Sequence, residues 1–164
     1  MSLAIVLAAL HIKIFHASDV TGTFSRWIDE CQTWDHIDEL CIRVTGVLVL
    51  KDISMWQVIE EWSRSEHMWK RRASLISHLP SIRIMQPSIK LIERTCHALA
   101  LEQEFFIRKA IGWILRELAD YDSESMASVF RQIGGELSNL SRKEATRKLE
   151  PALREDLLNI RKNT

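Results

Sequence analysis

Apolar positions recur along the chain at spacings of three and four, the period of helices that bury one face. Together with the breakers, this pattern predicts helices at roughly 2–15, 22–32, 34–50, 53–65, 67–79, 86–99, 102–119, 122–133, 141–149 and 151–161, with no strand candidate. Pro80 and Pro87 bracket the link between the fifth and sixth helices, and Gly134-Gly135 ends the eighth. Ser141 with Glu144 reads as a capping box for the ninth. The links are short, so consecutive helices are expected as antiparallel neighbours.

The same pattern repeats at longer range. Aligned with itself, the chain sets Trp34 against Trp69, Phe106 and Leu140, at spacings of 35, 37 and 34 residues. Such an interval belongs to two-helix repeats stacked side by side. In this register Arg72 falls opposite Lys109 and Ala73 opposite Ala110, while Asp38 occupies the position that Ala73 holds in the next repeat. A carboxylate where sister repeats use alanine departs from the local rule, and such departures mark functional positions. The expected fold is all-α: a single domain over 1–164, wound as a right-handed solenoid of about four helix pairs whose aromatic-led helices line a concave surface.

Composition agrees with this picture. The 164 residues are 46% hydrophobic and 27% charged, enough for one ordinary core, and five glycines and three prolines are few. Cys31, Cys41 and Cys96 form no metal or disulfide pattern, which points to a reducing, cytoplasmic setting. The apolar run Leu3 to Leu10 lacks the flanks of a leader and the length of a membrane span, so it reads as a buried helix running to Phe15. Net charge is zero, yet residues 1–63 carry 4 Lys+Arg against 9 Asp+Glu, and residues 64–164 carry 18 against 13. The second half can therefore face an anion although the average is neutral.

Candidate chemistry concentrates on three segments. Phe105 to Leu118 places Arg108-Lys109, Trp113 and Arg116 on one helix; Trp34 and Asp38 are i and i+4; Trp69 leads Lys70-Arg71-Arg72. Each aromatic residue shares a helical face with a charged one, which suits an anionic, π-rich partner. Plainer readings stand beside these. Trp27, Trp56 and Trp62 fit packing, Trp69 can be a structural residue of the repeat, and Asp35 suits a helix dipole. Arg71 and Arg108 can be solvated faces, the cluster Arg142, Lys143, Arg147 and Lys148 can be a further contact for the anion or an ordinary last-repeat surface, and Arg116 can pair with its neighbours. His36, His67, His78 and His97 have no metal-ligand spacing, and no nucleophilic triad context is present.

WDHID at 34–38, WKRRASL at 69–75, FFIRKAIGWILREL at 105–118 and LSRKEATRKL at 140–149 resemble the DNA alkylation repair enzyme family, the HEAT-like-repeat alkylpurine DNA glycosylases. The resemblance runs from about residue 3 to residue 150. It implies a cradle of HEAT-like repeats around duplex DNA that hydrolyses the N-glycosidic bond of cationic N3- or N7-alkylated purines, gripping the backbone rather than a flipped base. Carried over by motif, Asp38 is the catalytic carboxylate, Trp34 and Trp113 are the walls of the cleft, and Arg72 is a cation for the DNA backbone. Lys109 joins Arg72 as an expected phosphate contact, with Trp69, Arg71 and Arg108 as further DNA contacts. The resemblance also sets the chain's start after the family's first helices, so the first helix here is expected to lack part of its cover and to offer a route to self-association.

The residue types suit that chemistry in their own right. Alkylation makes the purine a cationic leaving group, and departure leaves an oxocarbenium-like sugar that a carboxylate stabilises. Indole faces attract cations by about 0.5–2 kcal/mol each. No metal or organic cofactor is required, and no membrane partner is expected. The alternative is a non-catalytic module of the same architecture that binds DNA structure or another protein.

Overall fold

The computed structural model describes residues 2–16 and 18–161, so Met1, Ala17 and residues 162–164 of the expected 1–164 unit lie outside the described residues. Helix dominates, and the described residues contain no strand. In chain order the α-helices are α1 (Ser2–Leu10), α2 (Ser25–Glu30), α3 (Trp34–Leu40), α4 (Gly46–Lys51), α5 (Trp56–Trp62), α6 (Met68–Ile76), α7 (Leu79–Arg83), α8 (Ile89–Ala98), α9 (Phe105–Tyr121), α10 (Ser123–Ile133), α11 (Asn139–Ala145) and α12 (Pro151–Leu158). None is long and apolar enough to cross a membrane.

Two expected helices carry a widened turn. The second begins with a π-helical segment at Val20–Phe24, and α3 and α4 are joined by another at Cys41–Thr45. Gly46 closes the latter, its N–H donating to the Cys41 carbonyl. A Cβ there would lie 2.7 Å from the carbonyls of both Cys41 and Ser77 and 2.8 Å from Pro80 Cγ, so only glycine lets the widened turn press against the α6–α7 link.

Boundaries elsewhere correct the sequence reading in three places. Pro80 does not merely border a link: it sits in the first turn of α7, where its missing N–H costs nothing. α11 starts at Asn139, two residues earlier than expected, because Ser138 is its cap and accepts the Ser141 N–H at 3.1 Å. The Ser141 hydroxyl instead donates to the Arg108 carbonyl of α9 at 2.9 Å. The first helix ends at Leu10, with a short 3-10 turn at Ile12–Ile14, and it is only half buried. Ile5 and Ala8 face inward, whereas Leu3 and Leu10 are 71% and 72% exposed.

One continuous core runs from Ile5 to Leu157. α9 is its axis. Ile107, Ala110, Ile111, Ile114, Leu115 and Leu118 recur at i, i+3, i+4, i+7, i+8 and i+11 and are fully buried where α9 packs on α6, α10 and α11. Each isoleucine and leucine of this set contributes roughly 1.5–3 kcal/mol of burial. Trp56 and Trp62 pack in the core as expected, with Trp56 stacked on the buried His78 at 4.6 Å. Trp27 packs edge-on against Phe24.

Bonds between helices keep a regular interval. Thr45 to Ser77, Ser141 to Arg108, Arg72 to both Asp38 and the Phe106 carbonyl, and Lys109 to Glu144 all link residues 32 to 35 apart. α3, α6, α9 and the helix of Glu144 are thereby tied in sequence order, and the side chains between them share one trough.

Candidate nucleic-acid interface

The trough is an open cavity of about 440 Å³. α3 contributes Trp34 and Asp38, α6 contributes Arg72, and α9 contributes Phe105, Phe106, Lys109, Trp113 and Arg116. Glu144 of α11 and Arg147 just beyond it close the far end. The acid, the two indoles and the guanidinium singled out from the sequence therefore meet in one place.

Asp38 lies one turn into α3, on the face it shares with Trp34. It is 7% exposed, and Arg72 grips it with two parallel bonds: Nε to Oδ1 at 2.9 Å and Nη2 to Oδ2 at 2.8 Å. The third nitrogen of Arg72 donates to the Phe106 carbonyl at 2.6 Å. Burial pushes the Asp38 carboxyl above the ordinary aspartate range, and the Arg72 guanidinium pulls it back without cancelling the shift. Trp34 is half exposed and lines the same trough as the acid, while the Trp113 indole is held by a 3.1 Å bond from Nε1 to Glu117.

Arg72 corrects one expectation. Its guanidinium is buried and committed to Asp38 and Phe106, so it orients the carboxylate rather than waiting for a phosphate. Lys109 does reach the trough, with its ammonium 2.7 Å from Glu144.

Three expected contacts belong elsewhere. Trp69 is buried against the Phe106 ring at 5.3 Å and is a core residue. Arg71 turns to the loop below, donating to the carbonyls of Ser65 and Glu66 and pairing with Glu102 at 2.6 Å. Arg108 donates to the Glu102 carbonyl at 2.7 Å and to the Gln103 amide oxygen, outside the trough. Of the final basic cluster, Arg142 is buried among helix ends, and Lys148 pairs with Asp120.

Phe105, Phe106, Arg116 and Glu144 line the trough without having been assigned to it from the sequence, and Arg147 of the final basic cluster joins them. Arg116 follows Trp113 by three positions, so the face rule that selected Lys109 and Trp113 would have found it. Glu144 was masked by its resemblance to a capping residue. Among the described residues, no group of three or more His, Cys, Asp or Glu side chains is arranged to hold a metal ion.

Comparison with known proteins bears on the family and the fold. No protein of curated function matches the chain. A solved structure described as a predicted DNA alkylation repair enzyme from Enterococcus faecalis superposes with a TM-score of 0.79 at 23% identity, covering 92% of this chain and 68% of that one. At that identity the likeness speaks for the fold. The family model for DNA alkylation repair enzyme matches residues 2–149, nearly the whole chain, and with it the trough from Trp34 to Arg147: the chain belongs to the DNA alkylation repair enzyme family.

Proposed function

We propose that the chain is a DNA glycosylase that hydrolyses the N-glycosidic bond of cationic N3- or N7-alkylated purines in duplex DNA, working as one domain of about four HEAT-like helix pairs wound into a right-handed solenoid. The observation that carries this reading is the buried Asp38 carboxylate, fixed by Arg72 in a trough that Trp34 and Trp113 also line. The alkylated base leaves as a neutral purine, and positive charge develops on the sugar. A carboxylate held in a poorly solvated place stabilises that charge and takes a proton from the attacking water. Trp34 and Trp113 pack on the lesion-bearing sugar-phosphate, and Lys109 holds backbone phosphate. Few amide side chains line the trough, which suits recognition of backbone and charge over base edges. The setting is cytoplasmic, and the exposed Leu3, Leu7 and Leu10 of α1 support self-association through that helix.

A second reading rests on the same pair. Both oxygens of Asp38 are taken by Arg72, as they would be in a non-catalytic module that binds DNA structure or a protein. Incubation with N7-methylated duplex and measurement of freed methylpurine separates the two. The glycosylase releases base, and Asp38→Asn loses at least ~100-fold of that rate, about 2.7 kcal/mol of barrier, while still binding DNA. Breaking a buried ion pair costs about 3–5 kcal/mol of stability, so the variant's melting is followed alongside. Binding by the parent chain without release would establish the module instead.

A further inference from the structure

Of the two indoles that line the trough, Trp113 is the anchored one. Its Nε1–H donates to Glu117 Oε1 at 3.1 Å, one turn further along α9. The acceptor is a charged oxygen, so the bond is stronger than one to a neutral group. The Glu117 side chain is itself only 22% exposed. Arg116 lies beside the same carboxylate, with Nη2 3.9 Å from Glu117 Oε1 and Nη1 on Glu144.

The backbone that carries the indole is equally fixed. A Cβ at Gly112 would lie 2.5 Å from Glu144 Cβ and 2.8 Å from its Cγ, so α11 closes on α9 at the residue next to Trp113. Ile111, Ile114 and Leu115 on either side of it are fully buried. What remains free in the Trp113 side chain is its own torsions, and a ring turned over about the outer one would carry Nε1 away from Glu117. With its single donor committed, the indole has no hydrogen bond to offer a ligand in the trough; it offers its π face. A hydrogen bond to an anion also polarises the ring, leaving that face richer in electrons and more attractive to a cation.

We propose that Glu117 is a positioning residue for the chemistry of the trough: by accepting the indole N–H it locks Trp113 in one orientation and strengthens its π face toward a positively charged sugar. The choice of a cationic sugar as ligand rests on the glycosylase reading above, in which that charge forms as the base departs. Glu117 touches no reacting atom and acts through Trp113. Arg116 offsets the charge of Glu117 at longer range, so the influence of the acid is conveyed by the ring rather than by direct attraction.

The test uses the full chain and two duplexes that differ at one residue: a pyrrolidine, protonated at neutral pH and so carrying the sugar's positive charge, or a neutral tetrahydrofuran. Both lack a base, and fluorescence anisotropy gives the affinity for each at one salt concentration, so phosphate contacts cancel in the ratio. The parent is expected to favour the charged duplex. Glu117→Leu is expected to lower that preference about fivefold, the size of a lost cation–π contact, and Glu117→Gln, which keeps an acceptor without its charge, about twofold. The Trp113 indole N–H resonance is expected to move in both variants while those of the other tryptophans stay. In a Trp113→Phe chain, which has a ring and no N–H, adding Glu117→Leu is expected to change the preference no further. Equal affinity of the parent for the two duplexes, an unmoved indole resonance or an unchanged preference in Glu117→Leu, or an equal fall in the Trp113→Phe chain would overturn the proposal. Should Glu117→Leu fail to fold, with every indole resonance collapsed, the preference and resonance of Glu117→Gln decide. Methylpurine release from an N7-methylated duplex is followed alongside, and Glu117→Leu is expected to slow it at saturating DNA about fivefold with KM unchanged. A parent that releases no base sinks the glycosylase reading, while the preference for the charged duplex still decides the role of Glu117.

Discussion

Asp38 works against its surroundings. Burial favours the protonated acid more than Arg72 favours the carboxylate, so the group takes up its proton at a higher pH than a free aspartate, near 3.9. The proposed hydrolysis needs the ionised form, so activity is expected to be lost from the acid side. The acid limb of the single-turnover rate is expected above the ordinary aspartate range, with no such limb in the residual activity of Asp38→Asn. A limb at or below that range would mean that the guanidinium outweighs desolvation. The i, i+4 relation of Trp34 and Asp38 was legible in the sequence because it is local. The partner of Arg72 was not, since Lys70, Arg71 and Arg72 look alike as a run of charge. About 100° apart around α6, they reach Asp29, Glu102 and Asp38 in turn, and only the packing of α6 tells them apart.

At the scale of helices, breakers were the reliable guide and side-chain caps were not. Gly134 follows the end of α10 as read, and Pro87 precedes α8, because backbone restrictions act wherever the residue stands. Ser138 and Ser141 each stand three residues before a polar partner, so the pattern alone does not say which one caps; the bond from Ser141 to the Arg108 carbonyl settles it in three dimensions. Arg142 is the clearest case of a residue whose role belongs to elements. Its guanidinium pairs with no carboxylate among the described residues and instead donates to the Gly134 carbonyl at 2.5 Å and to those of Leu158 and Ile160 at 2.8 Å, closing the C-terminal ends of α10 and α12 together. Charged donors of this kind are worth about 1.5–3 kcal/mol each. Arg142→Met is expected to lower the melting temperature by roughly 5–10 °C, read by circular dichroism, and Arg142→Lys to recover little of it, because one ammonium cannot span both helix ends. A shift below about 2 °C in Arg142→Met would show the clamp to be incidental.

Over the whole molecule, the zero net charge and the basic second half lead to a definite binding behaviour. Many cations are spent on acids within the chain: Lys70 on Asp29, Arg71 on Glu102, Arg94 on Glu60, Lys148 on Asp120. Lys109, the phosphate contact proposed above, predicts a slope near 0.9, so affinity for undamaged duplex is expected to fall only about threefold to fourfold between 50 and 200 mM salt. Proteins that neutralise six to ten phosphates lose about 10³–10⁵ over the same range, and a fall of that size would place many more contacts outside the trough.

The interval of 32 to 35 residues that recurs in the bonds between helices carries one more implication. The acid, the residue that steadies it, the second indole and the far carboxylate each come from a different helix, so no contiguous stretch of the polypeptide owns the proposed reaction centre. Fraying from either terminus would dismantle it while most of the helical signal persisted, which makes catalysis a more sensitive gauge of the assembled chain than its spectrum.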